Sequence, residues 1–186
     1  MTKRSAGRDV PSVGLTLQAP WAALVAWGGR DVENRTGAVA RAIKQYRGRV
    51  ALTASAEHRH TLDGHRESIW QGRGSNRRIR DSVARDVLAT LSACEALGEW
   101  DKTLDDVVGL AGTWFATATI ADVLEPGRNN GPWSMPDQYG IVLADITVHD
   151  HFESATGAQG FFAFARCRLC SRPCAVGSRH GCGGAR

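Results

Sequence analysis

Apolar and polar positions alternate over Val13 to Leu17 and again over Arg49 to Ser55, where Val50, Leu52 and Ala54 take one parity and Arg49, Ala51 and Thr53 the other. A period of two predicts a strand in each segment. Between them Trp21 to Trp27 is apolar throughout, which predicts a short helix with Pro20 in its first turn, where the missing amide hydrogen breaks no bond. Gly28 or Gly29 then supplies a left-handed stop. Another strand is expected over Asp31 to Thr36.

The period changes after residue 56. From Asn76 to Leu97 the apolar positions Ile79, Val83, Val87, Leu88, Leu91, Cys94 and Leu97 recur every three or four residues, which predicts an amphipathic helix stopped by Gly98. A shorter helix is expected over 57 to 70, with Gln71 to Ser75 as a flexible link. Together they form a helical insertion at about 57–108. Strand patterning resumes from Gly112 to Glu125, with Trp114, Ala116, Ala118 and Ile120 on one face and Phe115 on the other. A turn-rich loop over 124 to 136 carries Trp133. The last strands are expected over Tyr139 to Ile146 and Gly160 to Phe164. Short strands with flanking helices predict an α+β fold, a small mixed β-barrel decorated by helices.

The end of the first helix carries the candidate chemistry. Gly28-Gly29-Arg30-Asp31-Val32-Glu33-Asn34-Arg35 releases three ionisable side chains at close spacing. In an extended segment Glu33 and Arg35 project from one face and Asn34 from the other. A carboxylate beside two guanidiniums can hold a planar polar ligand, such as a base edge or a phosphate. The plainer alternative is that Trp21 and Trp27 are core and Glu33 merely pairs with Arg35.

The run PWAALVAWGGRDVENR, followed by YRGRVALTAS at 46 to 55, resembles the ASCH (activating signal cointegrator homology) domain of the PUA-like superfamily. The family's G-x-K-x-x-E-x-R motif stands here as Gly28, Arg30, Glu33 and Arg35. WFATATIADVLE, GPWSMPDQYGIVLADI and GAQGFFAF resemble its later strands in order, so the likeness covers most of 13 to 165 outside the insertion. It implies a PUA-like fold with a ligand cavity lined by Arg30, Glu33 and Arg35, with Pro20, Trp21 and Trp133 as apolar neighbours. Asn34, Ser55 and Tyr139 complete the candidate contact set. Tryptophan rings beside paired charges suit a nucleobase, stacked and read at its edge.

One departure bears on mechanism. Family members that resemble amidohydrolases of acetylated cytidine carry a catalytic Lys where this chain has Arg30. A desolvated lysine can become neutral and act as nucleophile or base, whereas arginine stays protonated. The substitution favours binding over amide hydrolysis. A hydrolase acting on a modified nucleoside or on RNA, with Arg30 and Glu33 as its candidate catalytic pair, is the alternative.

Composition adds two features. The chain has 186 residues and a formal charge of +4, and of its 23 basic Lys and Arg residues only Lys3, Lys44 and Lys102 are lysine. Arginines cluster at 73 to 85 and from 166 onward, a distribution that suits phosphate contacts with RNA or DNA, although a solvated face or a GC-rich genome also accounts for it. The tail, residues 166–186 beyond the main domain at 1–165, carries Cys167, Cys170, Cys174 and Cys182, with His180 as an alternate ligand. These donors suit zinc in a small knuckle; the competing readings are an unstructured basic tail with reduced thiols, or disulfides, which a cytosolic location disfavours. The main domain calls for no cofactor. His58, His60 and His65 lack the framework of a known metal motif. No signal peptide or membrane-spanning run is apparent, so the expected location is the cytoplasm.

Overall fold

Leu15, Leu17, Val50 and Leu52 are fully buried, as the alternation of their segments requires. In a computed structural model the described residues are 10–55, 106, 109–128, 131–158, 160–168 and 171–177. They form β1 (Val13–Leu17), α1 (Ala19–Trp27), β2 (Val32–Arg35), α2 (Gly37–Ile43), β3 (Gly48–Ala54), β4 (Thr113–Leu124), β5 (Tyr139–Ser154), β6 (Phe161–Arg166) and β7 (Pro173–Ala175). The architecture is α+β. The helices expected over 57 to 70 and 76 to 97, and the link between them, lie outside the described residues.

One seven-stranded sheet runs in the order β2-β5-β4-β3-β1-β6-β7. Only β1 and β3 pair parallel, with Leu15 beside Leu52 and Thr16 beside Thr53. Every other neighbouring pair is antiparallel. Among the described residues no ladder joins β2 to β7, so the hydrogen-bonded sheet is open rather than closed into the expected barrel.

Irregular pairing bends this sheet. Leu52 and Thr53, adjacent on β3, face Ala116 and Trp114, so β4 carries one extra residue there, Phe115. The β4–β5 register shifts at three further points, and Asp145 in β5 takes the left-handed conformation at φ 50°. Bulges of this kind kink a strand and increase its local twist. They also change the phase of the side chains. Trp114 therefore does not share a face with Ala116, Ala118 and Ile120. Phe115 joins those residues in the main core, while Trp114 packs with Ala51 and Phe164 in a second cluster.

The main core lies between the sheet and α1, whose Ala22, Ala23 and Leu24 are wholly buried. A helix that is apolar all round belongs inside. Its end matches the sequence expectation: the Gly28 and Arg30 amides both donate to the Leu24 carbonyl, at 2.9 and 3.1 Å, and Gly29 between them adopts φ 70°. α2 has no counterpart in the sequence reading. It is short and lacks a side-chain cap at Thr36, and it gains burial through Ala40 and Ile43. The second cluster is fixed by Trp114, whose indole donates to the Ala116 carbonyl at 2.8 Å and meets His149 edge to face. Arg166 lies over Trp114 and pairs with both carboxylate oxygens of Glu153.

The segment after residue 165 contributes β7, which pairs with β6 so that Ala165 opposes Cys174. No helix among the described residues is long and apolar enough to cross a membrane.

Candidate functional site

β2 begins three residues after the left-handed turn at Gly29, so Arg30 emerges beside the end of α1. Its Nε donates to the Val32 carbonyl at 2.7 Å, which folds the guanidinium back over the start of the strand. Nη2 then reaches Glu33 Oε2 at 3.2 Å. The guanidinium carbon lies 4.9 Å from the centre of the Trp21 ring, a cation–π contact. Arg30 and Glu33 are only 5% and 3% exposed.

Arg35 completes the cluster from the same face of β2. Its Nη2 lies 3.0 Å from Glu33 Oε1, so one carboxylate is shared by two guanidiniums. The same nitrogen donates to the Thr16 carbonyl on β1. Arg35 Nε is buried and, among the described residues, has no hydrogen-bond acceptor. A buried donor without a partner carries a desolvation cost that a ligand acceptor would relieve.

The electrostatics follow from burial. Removal from water pushes the Glu33 carboxyl above its ordinary range, against the downward pull of Arg35 and Arg30. Desolvation likewise lowers Arg30, opposed by Glu33. Arginine nevertheless keeps its proton in proteins. With Glu33 ionised, two cations share one anion, and the cluster has an excess of positive charge.

Asn34 turns the other way, as the strand period requires. Its Nδ2 donates to the Trp133 carbonyl at 2.7 Å, and its Oδ1 accepts from the Met135 amide at 2.9 Å. Asn34 is thus bound to the 131–138 loop through both ends of its amide. Trp133 is half-buried against the main core. Tyr139 opposes Arg35 in the β2–β5 ladder. Ser55 follows β3, with its amide bonded to the Leu17 carbonyl at 2.8 Å. Pro20 lies in the first turn of α1.

Trp21, Arg30, Glu33 and Arg35 therefore meet directly, while Asn34 and Trp133 form a separate unit behind β2. Thr16 and Thr53 were absent from the sequence-based set. Their hydroxyls lie 2.8 Å apart across the parallel β1–β3 pair, and Thr16 Oγ1 also donates to the Ala158 carbonyl at 2.7 Å. A polar residue at the same level of two neighbouring apolar strands was the available signal, but it becomes readable only once the parallel register is known.

Cys167 follows β6, where its amide donates to the Arg172 carbonyl at 2.8 Å, and Cys174 is buried in β7. Cys170, His180 and Cys182 lie outside the described residues, as do His58, His60, His65 and Cys94. Among the described residues no three His, Cys, Asp or Glu side chains come together as a metal site. No protein-family model matches the sequence, and a search of curated proteins returns no match.

Proposed function

We propose that this chain is an ASCH-type, PUA-like domain that binds single-stranded nucleic acid, RNA foremost, or a modified nucleotide, through the cluster of Arg30, Glu33 and Arg35. One observation carries this reading: a carboxylate shared between two guanidiniums, with Arg30 and Glu33 almost wholly buried and Arg35 Nε offering a buried donor that has no acceptor among the described residues. A buried excess of positive charge suits an anionic or acceptor-rich ligand, and a phosphodiester or the carbonyl edge of a base supplies both. Trp21, beneath Arg30, offers an aromatic surface next to those donors. By the ASCH resemblance the pocket would lie between this segment and the later strands of a PUA-like barrel.

The test is fluorescence anisotropy of a labelled single-stranded RNA and its DNA equivalent across a salt series. The expected result is binding that weakens steadily as salt rises and is lost in Arg35→Gln. Folded protein that binds neither oligonucleotide at any salt overturns the reading. The hydrolase alternative wins if a nucleoside or RNA substrate is turned over, and Arg30→Ala and Glu33→Ala abolish turnover while binding survives.

A further inference from the structure

Between Glu33 and Arg35 sits a residue whose amide is fully engaged away from the charged cluster. Asn34 Nδ2 donates to the Trp133 carbonyl and Asn34 Oδ1 accepts from the Met135 amide, at 2.7 and 2.9 Å. A planar amide offers one donor side and one acceptor side. Trp133 and Met135 present the matching carbonyl and amide two residues apart, as a strand does to one residue of a parallel neighbour. The side chain therefore acts as a short substitute strand. Its partners lie about a hundred residues away in the chain, on the far side of the insertion.

The loop's other bonds close it on itself. The Gly127 amide donates to the Pro136 carbonyl at 2.8 Å, Ser134 to Gly131 at 3.0 Å, and Gln138 to Met135 at 3.0 Å. Those bonds shape the loop, and Asn34 ties it to β2. Because Asn34 is the neighbour in sequence of both Glu33 and Arg35, the tether bears on the strand segment that presents them.

We infer that Asn34 is a positioning residue: by latching the 131–138 loop to β2 it fixes the strand segment that presents Glu33 and Arg35 on its opposite face, and this sets the site's affinity for single-stranded nucleic acid. The inference rests on the function proposed above, and it gives Asn34 an indirect role in place of ligand contact. Substituting this residue removes both tethers at once without changing the charge of the cluster.

The experiment follows the whole chain in two readouts. Hydrogen exchange of the Met135 amide and the Trp133 indole NMR shift report the latch without ligand. Anisotropy of a labelled single-stranded RNA of about ten nucleotides reports affinity. In Asn34→Ala, Met135 exchange is expected to accelerate about tenfold or more, the Trp133 signal to move, and RNA affinity to fall about tenfold. Phe164→Leu, a change in the second cluster around Trp114 rather than in the core against which Trp133 packs, controls for general destabilisation and is expected to leave both readouts unchanged. Asn34→Ser, uncharged and too short to reach both partners, is expected to loosen the loop and serves if the alanine variant does not fold.

Unchanged Met135 exchange in Asn34→Ala overturns the latch. Accelerated exchange with unaltered RNA affinity, or an equal loss of affinity in Phe164→Leu, overturns the positioning role. If the native chain binds no RNA while the latch readouts behave as expected, the functional reading fails and the latch stands.

Discussion

The guanidinium of Arg35, on β2, bonds the backbone carbonyl of Thr16, on β1, although three strands of the same sheet lie between them. In a flat sheet that separation would be about 19 Å, beyond the reach of one side chain. The register shifts in β4 and β5 curl the sheet until the two strands approach, and Arg35 spans the remaining gap with a side chain where the backbone ladder stays open.

This clamp is expected to contribute to stability as well as to the site. Arg35→Ala removes the Thr16 bond and one of the two partners of a buried carboxylate. A loss of about 3 kcal/mol is expected, read from the urea midpoint at constant m-value. An unchanged midpoint would mean that the curl is held by the core alone.

Glu33 separates charge from shape. Glu33→Ala leaves two guanidiniums without their shared counterion, each keeping only a backbone carbonyl acceptor, and is expected to cost about 3 kcal/mol or more. Glu33→Gln keeps an acceptor and resembles the protonated acid. Since burial raises the Glu33 carboxyl above its unfolded value, the stabilisation from proton uptake is present below the unfolded value and is lost as pH rises through the folded one. The native stability curve should therefore decline with pH over that window, and the Gln variant should be flat there. A carboxyl carbon NMR titration locates the midpoint, and a value at or below the ordinary range would contradict the sign. A phosphodiester keeps its charge throughout, so RNA affinity should rise as Glu33 takes up its proton.

Gly157 lies against the threonine pair. A β-carbon there would sit 2.8 Å from Thr16 Oγ1 and 3.0 Å from Thr53 Oγ1, so Gly157→Ala must displace the loop or break the hydroxyl pair. The expected cost is about 2 kcal/mol, with faster exchange at the Thr16 amide, which donates to the Gly160 carbonyl at 2.9 Å. A neutral substitution would show that the loop yields freely.

The pair of Lys44 and Glu125 provides the contrast. Its atoms lie 2.5 Å apart, but both side chains are about half exposed. Their hydrogen bond raises Lys44 and lowers Glu125, and solvent and salt screen the interaction. Lys44→Met is expected to leave the unfolding midpoint where it is, and the Glu125 shift should fade at high salt.

Features that depend on chain neighbours could be read directly from residue order. The strand over Val13 to Leu17 appears with the same bounds, the glycine stop after α1 falls where expected, and Glu33 and Arg35 share a face opposite Asn34, because pleat and helical stop depend on backbone geometry within a few residues. Distant pairing settled the rest. One extra residue in β4 moved Trp114 to the opposite face, a change of phase that alternation alone cannot announce. β7 exists because β6 and Thr156 offer it hydrogen bonds on both sides. The meeting of Arg35 with Thr16, and of Asn34 with Trp133, depends on how far the sheet bends, and that bend is a sum over register shifts in strands far apart in the chain.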